Sequence, residues 1–410
     1  MAENAPSAQL ALVSFNKGSF IIVEGKRDND CFFIVKAGQV RISKEADVGE
    51  GEQTMNPGDF FGVVSAMSGH LREETAVALT DVSLIAVKKD QFGILIQKNT
   101  PLAMKIIRSF SQKLRHFDHS IMKISMKEES VDDPESLYSI GEYYHDLGNR
   151  KLAMYAYVRY LQINAQGMNV ANVKARLGEL GEIDNTIGKP VVEFNIRKHE
   201  GEFIFCEHEP GNELYILQEG KVKITKIVGG NEVLLAVLQA GDIFGEMAIL
   251  ENKPRNASAI SYGDTLLLAV NKANVEGMVK AQPQLATRLI QILSERIWMA
   301  YRQLANLMLK DPVGRLYDML LTHIEKNHVP IEKKKPYVFT FGVKELISMV
   351  GLPAGDGRVA ITKLMDNKTF SLKDNKLMVA DIDEVQRQTE YFRKMSLLDK
   401  KREQAKTTFR

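Results

Sequence analysis

Cysteine is nearly absent from this chain. Cys31 and Cys206 are the two thiols in 410 residues, too few for a disulfide framework or an all-cysteine iron–sulfur site. Each lies in an apolar, strand-like run, which reads as a buried and inert thiol. No run of about eighteen apolar residues occurs, so a membrane-spanning helix is not expected. Met1 to Leu10 lacks the basic and apolar segments of a secretory leader, and a cytoplasmic protein is the expectation. No Ser/His/Asp set, metal-ligand cluster or nucleotide-triphosphate loop is apparent, and the eight histidines are scattered. Neither an enzyme nor a metal centre is expected.

What is present is an ordinary globular composition, 44% apolar and 26% charged, over a length suited to about two to four domains. Net charge is +2 but unevenly spread. Residues 301–410 hold 21 Lys and Arg against 14 Asp and Glu, an excess of seven, so the first 300 carry −5. A basic C-terminal part on an acidic body fits a polyanionic partner, although the run Lys400-Lys401-Arg402 could equally be a solvated tail.

The chain also repeats itself. Asn56-Pro57-Gly58-Asp59-Phe60-Phe61-Gly62 mirrors Gln239-Ala240-Gly241-Asp242-Ile243-Phe244-Gly245 at an offset of 183. Gly18 and Gly201, Glu24 and Glu207, and Arg72 and Arg255 share that offset. Short period-two runs split by Gly and Asp surround each set. They predict two small β-rolls, at roughly 9–98 and 190–272, each followed by helix.

In the second copy, Gly245-Glu246-Met247 opens one helical turn, and Arg255 follows ten positions after Gly245, with Asn256 and Ala257 behind it. Free amides at a helix start attract an anion, and glycine lets backbone approach closely. Arginine offers a planar fork to phosphate oxygens, and Glu246 can accept from a sugar hydroxyl. An ordinary surface ion pair is the alternative for Arg255 and Glu246. The run resembles the phosphate-binding cassette of cyclic-nucleotide-binding domains. Arg255 is expected on phosphate, Glu246 on ribose, and the amides of Gly245 and Met247 complete the cradle. In the first copy Val63 stands where Glu246 would, and Glu73 and Glu74 follow Arg72. Those carboxylates are expected to pair with Arg72 and repel an anion, so the first roll is read as having lost its nucleotide.

From Pro134 to Gln166 the spacing of Leu137, Ile140, Gly141, Tyr144, Gly148, Ala153, Tyr157 and Tyr160 approaches that of a tetratricopeptide helix pair. One unit cannot bury its own face, so a spacer is favoured over a peptide-binding groove. A long helix is expected from about Pro283 to Lys310, where Ile290, Leu293, Ile297, Ala300, Leu304 and Leu307 recur at steps of three and four. That is a heptad seam, for a second copy or for the helix's own β-roll. Asp311-Pro312 restarts a helix. Beyond it, Val343–Val350, Ala354–Asp366 and a hairpin turning at Asp374-Asn375 compose helix, turn, helix and hairpin, a winged helix-turn-helix.

This order of modules, with Pro283, Arg288-Leu289, Asn306-Leu307, Asp311, Gly314-Arg315, Glu345-Leu346, Val350-Gly351, Ile361 and Leu364, resembles the catabolite activator (cyclic-AMP receptor) family of bacterial transcription regulators over about 190 to 380. The fold class implied is α+β and multidomain. Its parts are a degenerate β-roll with helix (1–125), a tetratricopeptide-like helical spacer (126–188), a nucleotide-binding β-roll of jelly-roll type (189–282), a dimerisation helix (283–310), a winged helix-turn-helix (311–385) and a charged tail (386–410). The resemblance implies a homodimer, a cyclic mononucleotide effector and double-stranded DNA as partner. It also places Ala300 and Tyr301 over the base. Cyclic AMP is favoured over cyclic GMP, and a cyclic dinucleotide stays open.

One departure concerns the recognition helix. Family members open it with a Ser/Thr-Arg-Glu run, whereas here Pro353-Ala354-Gly355-Asp356-Gly357 stands there. Arg358 is the cation left to reach a guanine edge, and Lys363, Lys368, Lys373 and Lys376 are suited to phosphates. The alternative function is a nucleotide-sensing adaptor or regulatory subunit that acts on a protein partner, through the spacer, without specific DNA binding.

Overall fold

The computed structural model describes residues 10–28, 30–45, 51–126, 133, 135–182, 186–189, 194–228 and 230–408. Residues 1–9, on which the absence of a leader was argued, and the expected spacer start at Pro134 lie outside them. The chain forms two compact units, one of Met1–Lys89, Ser120–Lys127 and Ser294–Arg410, the other of Asp90–His119 and Glu128–Leu293. The helix after each roll is divided between the two units.

In the first unit, strands Ala11–Phe15, Val82–Lys88, Cys31–Ala37 and Phe60–Phe61 form one sheet, in that order. Phe20–Ile22, Thr75–Ala78, Val40–Ser43 and Gln53–Met55 form the other. Alternation along each strand sends Ile22, Val35, Val40, Ala76 and Leu84 into the shared core. A short helix, α1 (Val63–Ser68), follows Gly62.

The second unit begins with α2 (Phe92–Lys98) and most of α3 (Thr100–Met126). Helices α4 (Ser136–Asp146), α5 (Arg150–Ile163) and α6 (Val170–Leu180) come next. α4 and α5 pack closely at Gly141, where a Cβ would fall 2.4 Å from the Tyr157 ring. Their core, with Leu137, Ala153 and Tyr160, continues into Phe203, Cys206 and Ile260 of the second roll. That roll repeats the first strand for strand: Asn195–Lys198, Thr265–Asn271, Glu213–Glu219 and Ile243–Phe244 in one sheet, Phe203–Phe205, Ser258–Ser261, Lys221–Val228 and Asn231–Gln239 in the other. It carries α7 (Glu246–Glu251) and α8 (Lys272–Ala281), and leads into α9 (Pro283–Leu307).

Helix α9 carries the expected apolar seam. Ile290, Leu293, Ile297 and Leu304 are 0–1% exposed and Ala300 7%.

The first unit resumes with α10 (Pro312–Lys326), whose cap forms as expected: Asp311 Oδ1 accepts from the amides of Val313 and Gly314 at 2.7 and 3.1 Å. α11 (Val343–Met349), a turn at Gly351 with φ +60°, and α12 (Ala354–Asp366) follow. The strands Phe370–Lys373 and Lys376–Val379 pair through a turn at left-handed Asp374 and Asn375, as the sequence implies, and Lys376–Val379 pairs on its other side with Tyr337–Val338. Residues 386–410 were read as a charged tail, yet α13 runs over Ile382–Thr408. Ile382 and Val385 join the α10 core, and Arg393 Nη2 reaches buried Asp318 on α10 at 2.6 Å. Among the described residues no helix is long and apolar enough to cross a membrane.

Candidate functional site

The cassette of the second roll is built on one left-handed glycine. Gly245 has φ +77°, and a Cβ there would lie 2.8 Å from Arg255 Nη1, so both the turn and the arginine's approach require glycine. Glu246 and Met247 occupy the first turn of α7, 1% and 4% exposed. Arg255, 3% exposed, points inward. Its Nη1 donates to the Gly245 carbonyl at 2.6 Å and its Nη2 to the Glu213 carbonyl at 2.8 Å. The guanidinium carbon stands 4.1 Å from the Phe205 ring centroid. Nε is buried and has no hydrogen-bond partner, so the arginine keeps donor capacity.

Residues around the arginine are held from both sides. The Arg255 amide donates to the Glu209 carbonyl and its carbonyl accepts from His208 N, both at 2.8 Å. Lys226 Nζ bonds the Asn256 carbonyl at 3.2 Å and pairs with Glu207 at 2.8 Å. A half-open cleft of about 810 Å³ lies beside Arg255, lined also by Tyr155, Arg159, Glu209, Glu213 and Tyr215. Glu246 and Asn256 are not among its lining residues.

Gly245, Glu246, Met247, Arg255, Asn256 and Ala257 are thus gathered in one unit, and Ala300 and Tyr301 are not. Both belong to the first unit, where the Tyr301 hydroxyl donates to Glu24 Oε1 at 3.0 Å and Lys44 Nζ stands 4.5 Å from its ring centroid. The helix over the second cassette is α3. Asn256 Nδ2 donates to Asp118 Oδ2 at 3.1 Å, and Arg115 bonds the Pro254 carbonyl at 3.1 Å and pairs with Glu251 at 2.9 Å. Asp118 and Tyr301 are separated by 183 positions, the same offset as the two arginines. Each roll therefore receives the helix of the other copy. The repeat offset held that signal, although not which roll each helix would cover.

The first roll keeps its own arginine fully engaged. Arg72 Nε donates to Asp28 Oδ1 at 3.1 Å, Nη1 to Gly62 O and Ser65 Oγ at 3.2 Å, and Nη2 to the carbonyls of Asp28 and Cys31 at 2.5 and 2.8 Å. Glu74 was expected to pair with Arg72. Instead its carboxylate accepts from the amide of Gly62 at 2.7 Å. The chain's own anion thus sits on the amide that opens α1. Glu74 falls where the second copy has Ala257, which brings no carboxylate to that place. Burial pushes the Glu24 carboxyl up to about 7, against the lowering effect of the Glu45 amide and the Tyr301 hydroxyl.

Arg358, Lys363, Lys373 and Lys376 are all exposed, on α12 and on the hairpin after it. Gly357 is buried, and a Cβ there would lie 2.6 Å from Ile347 Cγ2 on α11. That close approach requires a glycine at 357. Among the described residues no group of three or more His, Cys, Asp or Glu could hold a metal ion.

Residues 12–99 and 196–282 each match the cyclic nucleotide-binding domain family. The "CRP-like cAMP-activated global transcriptional regulator" of Mycobacterium tuberculosis is 32% identical over 122 residues, 30% of this chain and 54% of that protein. The "Cyclic AMP receptor protein" of Thermus thermophilus is 32% identical over 133 residues, 32% of this chain and 62% of that protein. The chain thus spans little more than half the length of these relatives. The solved catabolite activator protein of Thermus thermophilus is matched at 24% identity over 48% of this chain and 90% of its own, with a TM-score of 0.28.

Proposed function

Since the chain belongs to the family of cyclic-nucleotide-binding, catabolite-activator-type transcription regulators, we propose that its second roll binds a cyclic mononucleotide and that its C-terminal module answers by binding DNA. One observation carries the reading. Arg255 is buried against Gly245 with a nitrogen left over, in a cassette whose counterpart in the first roll is filled by Glu74. The phosphate would meet Arg255 and the amides opening α7, and Glu246 would take the ribose. Asp118 rather than Tyr301 stands next to Asn256, where the base would lie. Cyclic AMP is the leading effector, in keeping with what the relatives' names say of them. Helices α11 and α12 with the following hairpin act as a winged helix. Arg358, Lys363, Lys373 and Lys376 meet the duplex there, chiefly at phosphates.

A thermal-shift panel of cyclic AMP, cyclic GMP and linear AMP tests the site, because a ligand of the folded state must raise the melting temperature. Cyclic AMP is expected to raise it, with one molecule bound per chain. Arg255→Ala is expected to cost about 3 kcal/mol of binding or more, since a buried phosphate loses its charge partner. Unchanged affinity in that variant refutes the assignment. A second reading, a nucleotide-sensing adaptor, draws on α12: its opening lacks base-reading side chains and its buried Gly357 serves packing. Gel shifts with random duplex at fixed salt, with and without nucleotide, separate the two.

A further inference from the structure

Beside the core that the helical spacer shares with the second roll lies a buried carboxylate. Glu209, 4% exposed, accepts from Arg159 Nε at 2.5 Å, from the Tyr155 hydroxyl at 3.2 Å and from the Cys206 amide at 3.1 Å. Burial pushes its carboxyl up, and the Arg159 guanidinium beside it pulls the other way. The same residue holds Arg255. Its carbonyl accepts from the Arg255 amide, its neighbour His208 donates to the Arg255 carbonyl, and Pro210 bridges to Pro254. Gly211 then lies flat on the guanidinium, where a Cβ would fall 2.5 Å from Nε and from Cζ. Loop 206–211 therefore fixes Arg255 by main chain and side chain alike, and α5 fixes the loop.

The first roll provides a comparison. Its arginine has the same backbone clamp, with Arg72 N bonded to Lys26 O at 2.9 Å and Gly25 N to Arg72 O at 2.8 Å. There Asp28 on the loop bonds the guanidinium directly. In the second roll the loop carboxylate, Glu209, bonds Arg159 and Tyr155 of α5 instead.

We propose that Arg159 and Tyr155 are positioning residues for Arg255, acting through Glu209, so that the helical spacer sets the affinity of the second roll for its nucleotide. The proposal rests on the reading of that roll as the nucleotide site. Removal of Arg159 leaves a buried carboxylate unpaired, a costly state relieved by moving loop 206–211 towards water. That movement displaces the anchor of Arg255.

Calorimetric titration of cyclic AMP and cyclic GMP into the full chain tests it. Arg159→Met is expected to raise Kd about tenfold or more, and Arg159→Lys, which keeps the charge, to stay within about threefold of wild type. Tyr155→Phe removes one hydrogen bond to the carboxylate and is expected to raise Kd about two- to fivefold. In an Arg255→Ala background, Arg159→Met is expected to add less than about twofold, since sites acting through one another are not additive. Wild-type affinity in both Arg159→Met and Tyr155→Phe overturns the relay, as does an Arg159→Met effect of equal size in both backgrounds. Should Arg159→Met fail to fold, Tyr155→Phe and Arg159→Lys decide by the same criteria. A wild-type chain that binds neither nucleotide brings down the reading of the second roll, and the relay with it.

Discussion

Arg72 and Arg255 occupy one position of one fold and meet different chemistry. Five acceptor contacts, from four residues, satisfy Arg72, whereas Arg255 has two carbonyls and an idle nitrogen. The residue that separates them most is Glu74, because a carboxylate on the Gly62 amide takes the place an anionic ligand would need. Near it, Glu24 is held against Tyr301 and the Glu45 amide, with the Glu45 carboxylate and Lys44 as further charged neighbours. Its folded pKa of about 7 lies above the ordinary 4.5. The folded chain therefore keeps a proton that the unfolded chain releases. The stability this lends is fully present below 4.5 and is lost as pH rises through 7. Glu24→Gln removes that slope. Its melting temperature is expected to gain on the wild type as pH rises from about 5 to 8. Parallel melting curves for the two proteins across that range contradict the assignment.

At the scale of elements, α12 shows how a glycine is misread without its neighbours. Both Gly355 and Gly357 weaken a helix on propensity alone. In place, a Cβ on Gly355 meets nothing, while one on Gly357 strikes Ile347 of α11. Gly355→Ala is expected to stabilise by up to about 1 kcal/mol, and Gly357→Ala to destabilise by about 1–3 kcal/mol through overpacking. Urea melts that rank the two in the opposite order refute this account of the α11–α12 contact. The duplicated roll, the left-handed Gly245 and the Asp311 cap were legible because each is local: alternation, a glycine, and a cap beside a proline. Helix α13 was not, because Ile382, Val385 and Phe392 are a thin apolar stripe among charges, several of which pair along the helix, Arg387 with Asp383 and Glu384. The covering of the second cassette by α3 was not legible either. A heptad seam states which face is apolar, never what covers it.

At the scale of the whole molecule, the duplicated plan changes what α9 is for. In a chain with one roll, a seam such as Ile290, Leu293, Ile297 and Leu304 would wait for a second copy. Here two rolls and two long helices share one chain, Tyr301 serves the first roll and Asp118 the second, and the seam is already buried. Ile297, 0% exposed, tests the point. Ile297→Ala opens a cavity in the folded single chain and is expected to cost about 2–5 kcal/mol, with the mass in solution unchanged from wild type. A seam that held two chains together would behave otherwise: the variant would shift the protein from dimer to monomer in sedimentation, with a melting temperature that rises with concentration.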